Sequence, residues 1–91
     1  MSDELKLRKD AERGAQAQNL LENGLIAEAF DTLETEYIKH WRSSTVLNDV
    51  QGRERLWQAV QILGKVRTHL EMVAAGGRMA ATELSRLAQG G

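Results

Sequence analysis

The sequence predicts an all-α fold: an antiparallel hairpin of a second and a third helix, buttressed in a small bundle by a shorter N-terminal helix and a short C-terminal one. Three observations carry this. Apolar residues in the stretch ERLWQAVQILGKVRTHLEMVAA, residues 54–75, recur at three-, four- and seven-residue spacings. No proline interrupts any of the 91 residues. Nothing in the chain shows the apolar–polar alternation of a convincing strand. The whole forms one domain, small enough that about 60–65% of the unfolded surface would be hidden in a compact monomer.

The first helix is expected over about residues 3–23, which are rich in Ala, Gln, Leu, Lys, Arg and Glu. Ser2 or Asp3 can cap its start, and its early acids suit the helix dipole. Leu7, Ala11, Gly14 and Leu21 share a face, but the middle of that face is small, so weak docking and frayed residues 1–8 are expected. Asn23-Gly24 reads as a helix stop because both residues tolerate positive φ.

The second helix should run from Leu25 to about Ser43. Its stripe, Ile26, Phe30, Leu33, Tyr37 and Trp41, falls within roughly 80° and holds three of the four aromatics, which read as core side chains facing the central helix. The turn at 43–48 follows. Asn48 with Gln51 three residues on forms a plausible capping pair, with Asp49 in the first turn.

The central helix turns Leu56, Val60, Leu63, Leu70 and Val73 to one side. Arg67 interrupts that stripe; Glu34 is the expected partner of a structural ion pair, with snorkelling to water or an anion site as alternatives. Trp57 and Gly64, one heptad apart, form a smaller second face for another helix or a second copy of the chain. Gly76-Gly77 is expected to end the helix. A last short helix over 78–89 would then turn Met79, Ala80, Leu84 and Leu87 inward, leaving 88–91 frayed.

The absence of cysteine removes disulfides, thiolate nucleophiles and sulfur ligands, and suits a reducing cytosol. No run is long enough to span a membrane, and MSDELKLRKD lacks the apolar stretch of a signal peptide. The net charge of −1 hides an uneven distribution. Glu22, Glu28, Asp31, Glu34 and Glu36 come with no base among them, whereas Lys39, Arg42, Arg53, Arg55, Lys65 and Arg67 outweigh Asp49 and Glu54. Such asymmetry can guide self-assembly, although most surface charge is simply solvated.

The sequence predicts no enzyme and no cofactor. His40 and His69 lack an evident acid–base partner, no phosphate-binding or metal-ligand spacing occurs, and a hairpin of this size leaves little room for a pocket of ~300 Å³. Nucleic-acid binding is the stronger competitor, since Lys39, Arg42, Arg53 and Arg55 would gather at one end of the hairpin near Trp41 and Trp57. The overall charge and the lack of a recognition-helix pattern weigh against it. Candidate interaction residues are therefore Trp41, Arg42, Arg53, Arg55, Trp57 and Gly64.

At AEAFDTLETEYIKHWRSS, and again at GRERLWQAVQILGKVRTHLEMVAAGGRMAATEL, the chain resembles a group of short all-helical proteins encoded by tailed phages and prophages. The matching positions are Phe30, Leu33, Tyr37, Trp41 and Arg42, then Arg53, Glu54, Leu56, Trp57, Lys65, Val66, His69 and Leu70. The likeness spans roughly residues 17–84. It implies a phage accessory or morphogenesis protein in the bacterial cytoplasm or the virion, and it transfers no functional residue. The expected function is a self-associating interaction module, in head assembly or DNA packaging. The alternatives are an inhibitor of a host defence or regulatory protein, whose acidic stretch mimics nucleic acid, and weak nucleic-acid binding through the basic end.

Overall fold

The computed structural model describes residues 2–43 and 49–90, and all of these but Asn23 and Asp49 are helical. Three helices result: α1 (Ser2–Glu22), α2 (Gly24–Ser43) and α3 (Val50–Gly90). The turn expected at 43–48, and with it the Asn48 cap, lies outside the described residues apart from Ser43. Asp49, expected inside the first turn, is itself the cap of α3: its Oδ1 accepts a hydrogen bond from the Gly52 amide at 3.0 Å.

Asn23 separates α1 from α2, and it does so differently from the expectation. No described residue has positive φ. The Asn23 amide instead closes the end of α1 on the Leu20 carbonyl at 3.2 Å, while its carbonyl accepts the first α2 bond from Ala27 at 3.0 Å. Its side-chain Oδ1 accepts from the amides of Leu25 (3.0 Å) and Ile26 (3.1 Å). One asparagine thus ends one helix and caps the next, meeting the amide groups that a helix start leaves unpaired.

The expected stop at Gly76-Gly77 is overturned. α3 continues through both glycines as one helix of 41 residues, so no separate C-terminal helix exists. Each glycine costs about 0.5–1 kcal/mol of helix propensity relative to alanine. Packing offsets that cost at Gly77. A Cβ built there would come to 3.0 Å from the Asp10 carbonyl oxygen and 3.1 Å from the Gly14 nitrogen, and closer still to the Gly14 Cα. A Cβ on Gly14 would likewise meet the Gly77 backbone and, at 3.1 Å, the Val73 carbonyl oxygen. The two helices cross backbone to backbone.

The tightest packing therefore joins α1 to α3, not α2 to α3 as expected. The buried residues among those described are Gly14 and Ala17 on α1 and Ala74, Gly77 and Ala80 on α3. Leu7, Ala11 and Leu21 flank this seam half-buried, which is the face read from the sequence, but docked closely. On α3, Leu84 is half-buried beside Ala80, whereas Met79 and Leu87 are exposed rather than inward. Their inward placement assumed a separate helix with its own rotation.

α1 and α2 occupy successive stretches of α3. Gly14 lies at Gly77, and Asp31 and Trp41 farther along lie at Arg67 and Trp57. Contacts on α3 thus retreat steadily as α1 and α2 advance. A 41-residue helix is about 60 Å long, and the molecule measures 67 × 25 × 13 Å. Its Cα radius of gyration is 19.3 Å, against about 12 Å for a compact domain of this length.

The adjacent glycines give opposed expectations. Gly76 has nothing within 4 Å of a built Cβ, so Gly76→Ala should stabilise by about 0.5–1 kcal/mol. Gly77→Ala should destabilise by a net ~1–2 kcal/mol, because overpacking outweighs the same propensity gain. Urea unfolding of the two variants at equal protein concentration checks this; equal shifts in the same direction would refute the crossing. Asn23→Ala, which removes the cap, should cost ~1–2 kcal/mol in the same assay.

Candidate interaction surface

The candidate residues come from the half of the molecule where α2 runs along α3. α2 has no buried residue. Ile26, Phe30, Tyr37 and Trp41 are half-buried, as are Leu56, Val60, Leu63 and Leu70 opposite them, while Leu33 is exposed. The stripes read from the sequence meet, but they leave one another partly open.

At the far end, Trp41 and Trp57 pack with ring centroids 6.0 Å apart and planes inclined by 40°. The Arg53 guanidinium lies over the Trp41 ring, 4.6 Å from its centroid. An arginine held on an aromatic face gains about 0.5–2 kcal/mol, depending on how far it is desolvated. Arg42 joins Ile38, Trp41, Trp57 and Val60 around a small hollow of about 150 Å³. The structure thus brings together Trp41, Arg42, Arg53 and Trp57. Arg55 is exposed and projects some 160° around the helix from Arg53. Gly64 lies on the Trp57 side of α3 with open space where its side chain would be. The face proposed at Trp57 and Gly64 receives neither α1 nor a last helix.

Arg67 pairs with Asp31, at 3.1 Å, and not with Glu34. Its guanidinium also lies 5.5 Å from the centre of the Phe30 ring. Asp31 and Glu34 are three residues apart and so share one side of α2; the register of the two helices selects Asp31. With the Asp31 side chain 72% exposed, this pair is well solvated and worth at most ~1 kcal/mol.

The junction of the three helices holds a groove of about 320 Å³, larger than a hairpin of this size was expected to leave. Leu20, Ile26, Phe30 and Leu70 line it, with Arg67, Asp31 and Glu71 at its edge. His40 and His69 are both exposed. Among the described residues, no group of three or more His, Asp or Glu is placed to hold a metal ion, and no helix is long and apolar enough to cross a membrane.

Sequence reasoning missed one feature of this half. Leu33, Ile62 and Val66 are exposed, and so is Ala29. The signal was present in the 100° step, because Ile62 and Val66 stand about 90–130° from the centre of the line that Leu56, Val60, Leu63 and Arg67 turn toward α2.

Because both tryptophans sit in one cluster, their paired transitions should give an exciton couplet in circular dichroism. Trp41→Phe or Trp57→Phe alone should abolish it. A couplet that survives either substitution would place the indoles elsewhere.

Compared with known proteins, the chain matches no family model, no curated protein and no solved structure.

Proposed function

We propose that this protein is a non-catalytic helical interaction module that completes its fold by self-association. In this reading α1 and α2 form one limb of a long antiparallel hairpin and α3 the other. The observation that carries it is surface area. The chain exposes 7305 Å², whereas a compact monomer of 10.1 kDa exposes about 5,300 Å². The excess of about 2,000 Å² is more than twice the ~800 Å² each partner contributes to a standard interface.

The exposed side chains support the same reading. Leu25, Ile62, Met72 and Met79 are each more than half exposed. Scattered apolar residues are ordinary on a surface, but a chain whose buried residues, among those described, are only alanine and glycine has placed its large side chains elsewhere. The resemblance to small phage proteins carries this module to head assembly or DNA packaging in an infected bacterium. Nucleic-acid binding has less support, since Arg53 covers the Trp41 face that a base would stack on.

Light scattering coupled to size exclusion, across a hundredfold range of concentration, is the test. A mass of two or more chains is expected, with a melting temperature that rises with concentration. A 10.1 kDa species at every concentration would refute the proposal.

A further inference from the structure

We propose that a second copy of this chain docks on one broad flank of the α2 half, formed by Ala29 and Leu33 of α2 with Ala59, Ile62 and Val66 of α3. The two copies are related by a two-fold axis parallel to the helices, which lays each α2 on the partner's α3. This rests on the self-association reading and adds the face and the symmetry.

The face follows from angles and register. Asp31 meets Arg67, and Ile38 lines a hollow with Trp57, so the Asp31 and Ile38 side of α2 shares a broad face with Trp57. At 100° per residue, Ala29 and Leu33 stand on the other side of the α2 contact line, and Ile62 and Val66 on the corresponding side of α3. The pairings Asp31 with Arg67 and Trp41 with Trp57 place Leu33 level with about residue 65, between Ile62 and Val66. These residues therefore form one patch. Leu33 is 40% exposed, Ile62 58% and Val66 45%.

The seam between α1 and α3 has less need of a cover. Along α1, glycine and alanine already close the seam, and every buried residue of α3 lies between Ala74 and Ala80. The opposite flank carries the Trp41, Trp57 and Arg53 stack and the solvated Asp31–Arg67 pair, with Trp57 itself 50% exposed. The excess area per chain exceeds what one partner gives to a stable dimer.

Charge selects the axis. Of the charges of α2 between Gly24 and Glu36, Glu36 projects on this flank, and of those of α3 between Arg53 and Arg67, Arg55 does; the others stand on the contact line, the far side or the opposite flank. An isologous contact must be self-complementary. An axis perpendicular to the helices would stack the Glu36 side of α2 on the same side of the partner's α2. The parallel axis sets the Glu36 side of α2 on the Arg55 side of the partner's α3 twice, the two charges about two helical turns apart in level.

The chain has no cysteine, so single cysteines report the contact directly. On mild oxidation, a mixture of Leu33→Cys and Val66→Cys chains should give a disulfide-linked mixed dimer in at least tenfold excess over Leu33→Cys alone. Ile62→Glu should halve the mass seen by light scattering while helicity holds, and Trp57→Ala should leave the mass unchanged. Should Ile62→Glu unfold, the cysteine mixture decides alone. A wild-type monomer overturns both self-association and this face. A wild-type oligomer in which the mixture does not cross-link, or in which only Trp57→Ala dissociates it, overturns the face and leaves self-association standing. Equal cross-linking of Leu33→Cys with itself overturns the axis.

Discussion

The contact of Gly14 with Gly77 sets the rest of the structure. Where the Cα of one helix faces the Cα of another, neither can carry a side chain. The flanking positions on the same seam must then be small as well, and Ala17, Ala74 and Ala80 are. Such a crossing hides little apolar area per residue, so it draws on close dispersion contact between backbones more than on bulk burial. It also aligns the long α3 against α1 over several turns, and the position of α2 on α3 follows from that alignment and the single residue at Asn23.

That junction divides the labour between the two halves. Along α1 the limbs are close and small residues fill the gap. Past Asn23 the side chains become Ile26, Phe30, Tyr37 and Trp41, which hold α2 farther from α3 and leave both half-buried. The groove lined by Leu20, Ile26, Phe30 and Leu70 marks the change in spacing. Arg67 sits at this transition, its charge held by Asp31 and its planar head near Phe30. An arginine suits the place because its stem can cover apolar surface while its head stays solvated.

Much of this was legible in the sequence. The all-helical character of the described residues, the aromatic stripe of α2, the stripe of α3 and the Leu7, Ala11, Gly14 and Leu21 face all read from periodicity, because the side chains involved follow a 3.6-residue period. What failed concerned glycine and alanine. A glycine pair reads as a helix stop when considered locally, since a left-handed residue commonly ends a helix. At Gly77 the glycine serves close approach instead, and only the matching small row on α1 reveals it. Likewise, the small centre of the α1 face looked like weak docking because apolar periodicity weighs large side chains. Asn23 was read for its backbone, when its side chain does the capping. The choice of Asp31 over Glu34 depends on the relative register of two helices, which no single-helix pattern contains.

The contrast between the halves explains why the open flank belongs to α2. A glycine–alanine seam is closed by its own geometry: backbones in contact leave no space for an outside side chain. A seam of half-buried aromatics and leucines is different, because two helices cannot enclose side chains that large from both sides. A third and a fourth helix would. The Trp41 and Trp57 stack stands on one side, with Trp57 half exposed, and the exposure of Leu33, Ile62 and Val66 lies on the other. On that side α2 presents Glu36 and α3 presents Arg55, opposite charges that a copy turned about the long axis would bring toward one another.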